Sequence, residues 1–115
     1  MSRGDLDLLK GTLDLLVLTA LAGDDEQLHG FEVLDRIRAG TDDALIVEEG
    51  ALYPALHRMQ KRGWLAATWG VSEKGRRAKY YRLTPEGRRA LTDQRTAWSG
   101  YVEAMARLAR ASGLS

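Results

Sequence analysis

The sequence contains no cysteine and only two histidines, His29 and His57. Disulfides and thiolate metal sites are therefore excluded, and the two imidazoles are too far apart in the chain for a metal-ligand motif. No apolar run approaches the length of a membrane-spanning helix, and the stretch MSRGDLDLLKG carries acids where a signal peptide has basic residues. We therefore expect a soluble protein of the reducing cytoplasm, with no membrane partner, no metal and no cofactor.

Sequence motifs typical of enzymes are also missing. There is no G-x-S-x-G nucleophile elbow, no phosphate-binding Walker loop and no cysteine–histidine pair. The 12 glycines lie at predicted turns rather than in one phosphate-binding run. Asp24, Asp25 and Glu26 offer carboxylates to a metal, but neighbouring acids of this kind are far more common in a solvated turn. An enzyme is therefore the least supported class of protein.

Charge is distributed unevenly along the 115 residues. The formal net charge is only +1, but residues 1–56 hold four basic and twelve acidic side chains, whereas residues 57–95 hold eleven basic and three acidic ones. Charges scattered over solvated faces would be the simplest explanation. A contrast this large between adjoining segments is instead typical of a surface that binds a polyanion.

Residues 48–65, EEGALYPALHRMQKRGWL, contain the most distinctive predicted helix. Helical spacing gives it an apolar face made of Leu52, Ala55, Leu56 and Met59. Its opposite face carries Gly50, Pro54, His57 and Lys61. Because proline lacks an N–H group, the helix is expected to begin near Gly50 or Ala51, with Pro54 in its first turn. Gly63 is expected to end it, and the rigid exposed face suits a DNA groove.

The segment before this helix predicts a first, largely buried helix over residues 6–22. Thr12 is a candidate N-cap for this helix, and Gly11 is a candidate first residue. Gly23 and the acids that follow it are expected to end the helix in a short solvated connection.

A second amphipathic helix is predicted from about Gly30 to just before Gly40. Its apolar stripe is expected to hold Phe31, Leu34 and Ile37. His29 precedes the helix, and a capping or packing role is expected for it because no nucleophile or carboxylate is placed to act with it chemically. Residues 45–47 are β-branched enough for a small strand, and the acids at 48 and 49 are expected to cap the helix that follows.

Residues 64–69 and 79–83 are predicted to form a β-hairpin, with residues 70–78 as its loop. Four of the six residues from 74 to 79 are basic, namely Lys74, Arg76, Arg77 and Lys79. A hairpin tip is often polar only because it is solvated. This density of positive charge indicates in addition that the loop reaches phosphates or a minor groove.

A last helix is predicted to start at Thr84, Pro85 and Glu86 and to end at about Ala111. Its apolar residues approximate a coiled-coil seam, which consists of Leu91, Trp98, Tyr101, Val102, Met105 and Leu108. Such a seam predicts dimerisation with a second copy, although packing on the chain's own first helix would explain it as well. We expect both contacts.

Three helices followed by a hairpin with a basic loop give the order of a winged helix-turn-helix. On the stretches EEGALYPALHRMQKRGWL and GRRAKYYRLTPEG, the chain resembles the short members of the PadR family of bacterial transcriptional regulators, which have a single C-terminal helix. The expected fold is mostly α with a small β-hairpin. Residues 1–83 would form the DNA-binding domain, and residues 84–115 would form the dimerisation helix.

The resemblance implies a cytoplasmic, dimeric repressor that binds double-stranded DNA at an inverted repeat. The helix over residues 49–62 would enter the major groove, and the wing over residues 70–79 would contact the flanking backbone or minor groove. The expected DNA contacts are Gly50, Tyr53, Pro54, His57 and Lys61 of the helix, and Lys74, Arg76, Arg77 and Lys79 of the wing. A winged-helix module that binds a protein instead of DNA is the alternative, but it would not require so basic a segment.

The family also implies a small aromatic or hydrophobic effector that relieves repression. Trp98 matches by position a tryptophan that stacks a flat ligand in a multidrug-binding member of the family. A tryptophan that only fills the dimer interface is the alternative, and large aromatic side chains commonly do so.

Overall fold

A computed structural model describes residues 3–23 and 27–114, which fold into four helices and a three-stranded sheet. The helices and strands, in chain order, are α1 (Arg3–Ala20), β1 (Leu28–His29), α2 (Gly30–Gly40), α3 (Glu49–Lys61), β2 (Leu65–Val71), β3 (Arg77–Leu83) and α4 (Pro85–Ala111). The predicted fold, mostly α with a β-hairpin, is confirmed. Within the described residues, no helix combines the length and the apolar character needed to cross a membrane.

Helix α3 buries the face that was predicted for it. Leu52, Ala55, Leu56 and Met59 are all fully buried, since their spacing keeps them on one side of the helix. The helix begins at Glu49, slightly earlier than predicted, and this puts Pro54 in the second turn instead of the first. Having no N–H group, Pro54 leaves the carbonyl of Gly50 without its usual partner. Glu48 occupies the N-cap position, but its side chain makes no capping hydrogen bond.

The end of α3 is a Schellman motif, and the predicted stop at Gly63 is confirmed. The N–H group of Gly63 donates to the carbonyl of Gln60, and the N–H group of Trp64 donates to the carbonyl of Met59. The φ angle of Gly63 is 80°, a left-handed conformation that glycine adopts without steric cost. The motif turns the chain directly from α3 into the first strand of the hairpin.

Helix α1 is longer than the sequence predicts. It begins at Arg3 and runs through Gly11 and Thr12, so neither residue starts it. A glycine inside a helix costs only about 1 kcal/mol, too little to stop a helix whose later turns are anchored in the core. Those turns bury Val17 and Leu18 completely, and α1 ends at Ala20. The acids at positions 24–26 lie outside the described residues.

Helix α2 has the predicted start but a different buried face. Nδ1 of His29 accepts from the N–H group of Glu32, and the Glu32 carboxylate accepts from the N–H group of His29, which confirms the capping role. Val33 and Ile37 are the side chains that α2 buries fully, whereas Phe31 is 55% exposed and the prediction for it was wrong. The helix includes Gly40, one residue more than predicted.

The sheet contains one strand that the sequence does not predict. Residues 28–29 pair with β3 in antiparallel register, opposite Tyr81 and Tyr80, and the strand order is β1-β3-β2. Residues 45–47, the predicted strand, are irregular instead, and Ile46 is largely exposed. A two-residue strand has too little local signal to be seen in a sequence, because its stability comes from a partner strand far along the chain.

The hairpin is longer than predicted, with both strands extended to seven residues around the short turn 72–76. Its base joins the core formed by α1, α2 and α3, through Leu65, Tyr81 and Leu83. The junction with α4 is tight. The Thr84 hydroxyl donates to the carbonyl of Gly63 and accepts from the N–H group of Gly87, which confirms the predicted N-cap.

Candidate nucleic-acid interface

The exposed face of α3 lies opposite its four buried residues. Gly50, Pro54, His57 and Lys61 are all exposed, as predicted from their spacing. Arg58, which sequence alone would group with His57 and Lys61, points elsewhere. Its guanidinium donates to the carboxylate of Asp14 on α1, and the side chains are only 35% and 11% exposed. This ion pair links α3 to α1. It could not be predicted from local sequence patterns, because its partners are 44 residues apart in the chain.

The Tyr53 side chain projects from the side of α3 and packs over Gly30, the first residue of α2. A Cβ atom placed on Gly30 would come within 2.5 Å of the Tyr53 hydroxyl oxygen, so the absence of a side chain at Gly30 makes room for the ring. Burial raises the pKa of Tyr53, and the Glu49 carboxylate raises that pKa further. The hydroxyl is therefore a neutral hydrogen-bond donor at physiological pH, and the side chain stays 40% exposed.

The β2–β3 hairpin with its turn, residues 65–83, is called the wing below. Its four predicted cationic contacts divide into two pairs. Lys74 and Arg76 lie in the exposed turn, where Gly75 has a φ angle of 74°. Arg77 and Lys79 lie on β3 and each sits over an aromatic ring: the Arg77 guanidinium is 4.5 Å from the centre of the Trp69 ring, and the Lys79 ammonium is 5.6 Å from that of Tyr81.

An open groove separates the start of α2 from the wing, and Tyr53 also lines it. The wing side contributes Trp69, Arg77 and Lys79, so that wall is cationic and aromatic. The α2 side contributes two acids, Asp35 and Glu32, and the Glu32 carboxylate is already engaged in the cap of the helix. The wing wall carries all four lysine and arginine side chains that line the groove, together with one acid, Glu73.

Helix α4 presents a separate, apolar surface. Trp98, Tyr101, Val102, Met105 and Leu108 are between 44% and 61% exposed. The rings of Trp98 and Tyr101 stack on each other with centres 5.9 Å apart. Leu91, the first residue of the predicted seam, instead packs against the chain's own core. Helix α1 also contacts α4, as expected for the intramolecular part of the predicted packing.

Comparison with known proteins agrees with this geometry. The model of the family described as "Transcriptional regulator PadR-like family" matches residues 17–93, which is more than half of the chain. The chain belongs to this family. Its members are transcriptional regulators and not enzymes, in agreement with the missing catalytic motifs.

Individual relatives give the same result. Transcriptional regulator Rv3488 of Mycobacterium tuberculosis is 47% identical over 51 residues, which are 44% of this chain and 47% of that protein. The structure of a transcriptional regulator from Clostridium thermocellum superposes with a TM-score of 0.77 at 29% identity, over 88% of this chain and 96% of the other. A PadR-like transcription factor from Bacteroides fragilis gives a TM-score of 0.76 at 25% identity, over 93% and 99% of the two chains.

Proposed function

We propose that this PadR-family regulator is a DNA-binding repressor that acts as a homodimer on an inverted repeat. The observation that carries the proposal is the exposed face of α3 beside a basic wing. Because α3 already buries one complete side, the other side is free to enter a major groove. The wing would then contact the flanking phosphates or the minor groove. The division into a DNA-binding part, residues 1–83, and a dimerisation helix, residues 84–115, belongs to this proposal.

The proposed contacts on α3 differ from those on the wing in what they would do. His57 and Lys61 project from the exposed face of α3, Gly50 and Pro54 form its close-approach surface, and Tyr53 lies at its side, toward α2. The wing supplies Lys74, Arg76, Arg77 and Lys79. Contacts to base edges give sequence discrimination, whereas contacts to phosphates give affinity that falls with salt.

The test is binding of the purified protein to DNA from upstream of its own gene, measured by fluorescence anisotropy across a salt series. Arg76→Ala combined with Arg77→Ala should weaken binding to all sequences and reduce the salt slope by about one unit per lost contact. His57→Ala should cost discrimination between base pairs, on the order of 1–3 kcal/mol. Binding that ignores salt would contradict the proposed phosphate contacts, and the absence of binding to the DNA would favour a winged-helix module that binds protein.

The dimer would form through the exposed apolar residues of α4 from Trp98 to Leu108, without Leu91, which the core of its own chain already uses. A twofold axis through this helix would set the two copies of α3 about one DNA turn apart, roughly 34 Å. An inverted repeat is the operator that matches such a dimer. Footprinting on the upstream DNA would contradict this arrangement if it protected a single half-site.

A small, flat aromatic effector would bind between the two copies of Trp98. The exposed Trp98 ring and the small neighbours Ala97, Ser99 and Gly100 support this part of the proposal. The ligand would change DNA affinity only if it favoured one spacing of the two α3 helices over another. The test is fluorescence quenching by planar aromatic dyes in wild type and in Trp98→Ala. Equal binding to both proteins would show that Trp98 only packs.

A further inference from the structure

Trp69 is a large aromatic side chain that the core does not use. It is 57% exposed, although Leu65 at the start of the same strand is almost completely buried. Burial therefore gives no reason for a tryptophan at this position. The proposed DNA contacts above do not include it either.

The register of the hairpin gives the direction of the Trp69 side chain. Directly paired residues of antiparallel strands point to the same side of a sheet. The pairs from the base to the tip are Leu65 with Leu83, Ala67 with Tyr81, Trp69 with Lys79, and Val71 with Arg77. Since Leu65, Leu83 and Tyr81 face the core, Trp69 and Arg77 lie on the same, inner face, beyond the edge of the core and beside the groove.

The contact between Trp69 and Arg77 runs diagonally across the two strands. The guanidinium carbon lies 4.5 Å from the centre of the ring, a distance at which a cation–π contact forms and a planar guanidinium also stacks well. The guanidinium keeps its N–H donors at its edge, so stacking on the ring leaves them free for an anion. A phosphate could therefore bind Arg77 without displacing Trp69.

The two cations of the turn have no such support. Among the residues that the structure describes, no ring contact or ion pair involves the side chain of Lys74 or Arg76, and both residues are exposed. A free arginine or lysine side chain loses rotamer entropy when it binds, whereas a side chain that is already held loses less. Arg77 is thus better prepared than Arg76 to make one geometrically defined contact.

We propose that Trp69 is a positioning residue, which holds Arg77 on the inner face of the wing for contact with a DNA phosphate beside the groove. The inference rests on the proposed DNA-binding function and deepens it. In this arrangement Arg77 makes a fixed contact at the outer end of the wing, and Lys74 and Arg76 contribute mobile positive charge.

The test compares Trp69→Leu and Trp69→Phe in the full-length protein, with fluorescently labelled upstream DNA as the probe. Trp69 is exposed, so both variants should fold, and Trp69→Leu should melt only a few degrees below wild type because it loses one exposed cation–π contact. Leucine is apolar but has no π face, and we expect it to weaken DNA binding about two- to fivefold, the fold-change typical of a cation–π contact at an exposed site. Phenylalanine keeps a π face and should bind within about twofold of wild type.

A double-mutant cycle makes the assignment specific to Arg77. Adding Trp69→Leu to Arg77→Ala should cause no further loss, because the side chain that it positions is already gone. Arg76→Ala, on the neighbouring residue, is the matched control. Adding Trp69→Leu to it should lower DNA affinity by the product of the two single-variant factors. The inference is wrong if Trp69→Leu binds DNA like wild type, or if it lowers the DNA affinity of Arg77→Ala by the same factor as that of wild type. The proposed function stands in either case. If wild type itself does not bind the DNA, both fail.

Discussion

The buried apolar side chains of the second half of α1, of one face of α3 and of the base of the hairpin pack into one core, whereas the distal half of α4 exposes its apolar side chains. Leu18, Leu52 and Leu56 are fully buried, but Trp98 and Met105 leave almost half of their surface exposed to solvent. The side chains of the first group are buried against other residues of the same chain. The second covers one side of a helix that extends beyond the core, and a single copy of the protein leaves it in water.

This contrast teaches that the two ends of α4 have different physical roles. The beginning of the helix is fixed by Thr84 and Gly87 against the end of α3, so it belongs to the folded unit. The distal half would gain stability only from a partner. Variants in the two halves should therefore respond differently.

The largest effect is expected for charge placed on the exposed apolar side of α4. The double change of Tyr101→Asp and Met105→Asp should weaken the proposed dimer at least about 1,000-fold, because four carboxylates, two from each copy, would have to be desolvated in the interface. Sedimentation at micromolar concentration measures it. Thr96→Asp, an exposed site on the other side of the helix, is the control and should leave the dimer intact. A wild-type protein that is already monomeric would contradict the role given to this surface.

The next effect separates the two ends of α4 by the same substitution. A Cβ atom on Gly87 would overlap the backbone carbonyl oxygen of Trp64, which cannot move away. Gly87→Ala should therefore lower the free energy of unfolding by about 3 kcal/mol. Nothing lies within 4 Å of the corresponding Cβ atom on Gly100, so Gly100→Ala should raise it by about 0.5–1 kcal/mol. Urea denaturation measures both, and equal effects would contradict the division of α4.

A smaller effect is expected for the ion pair between α1 and α3. Asp14→Ala would leave the Arg58 guanidinium without its carboxylate in a partly buried position, and should cost about 2 kcal/mol of unfolding free energy. The control is Glu103→Ala, which removes the exposed pair with Arg107 on α4 and should cost less than about 0.5 kcal/mol. Similar losses in the two variants would show that the Asp14 pair is no more stabilising than a surface pair.

Local signals explain which features of the fold could be predicted from sequence. The buried face of α3, the stop at Gly63 and the cap at Thr84 each depend on residues within one or two turns of one another. The strand at residues 28–29 and the pair between Asp14 and Arg58 depend instead on partners far along the chain. These contacts form only when the chain folds and brings distant residues together, so no local sequence pattern predicts them.

The candidate interface shows the same division. The spacing on α3 identified its exposed face, and the density of basic residues identified the wing. Neither pattern distinguished the turn cations from Arg77, because that difference comes from a ring on the opposite strand. Nor did spacing reveal that Phe31 is exposed, since the buried stripe of α2 runs through Val33 and Ile37.

The smallest effect is expected at the contact between Gly30 and Tyr53. Alanine is acceptable at the first residue of a helix, so Gly30→Ala should not lower the stability of α2 itself. Its methyl group would, however, displace the Tyr53 ring, whose nearest atoms lie only 2.5–2.7 Å from the added Cβ. If Tyr53 contacts DNA as proposed, the displacement should weaken binding by about 1 kcal/mol.

Anisotropy with the upstream DNA measures this loss in Gly30→Ala, in Tyr53→Ala and in the double variant. The methyl group acts only through the ring, so Gly30→Ala should have no further effect once Tyr53 is alanine. Gly40→Ala is the matched control, because it adds a methyl group to an exposed glycine of α2 that has open space around it and is not a proposed DNA contact. The prediction fails if Gly30→Ala weakens DNA binding equally when Tyr53 is already alanine. That result would mean that the methyl group disturbs α2 or the groove directly, and that displacement of the Tyr53 ring is not the cause of the lost affinity.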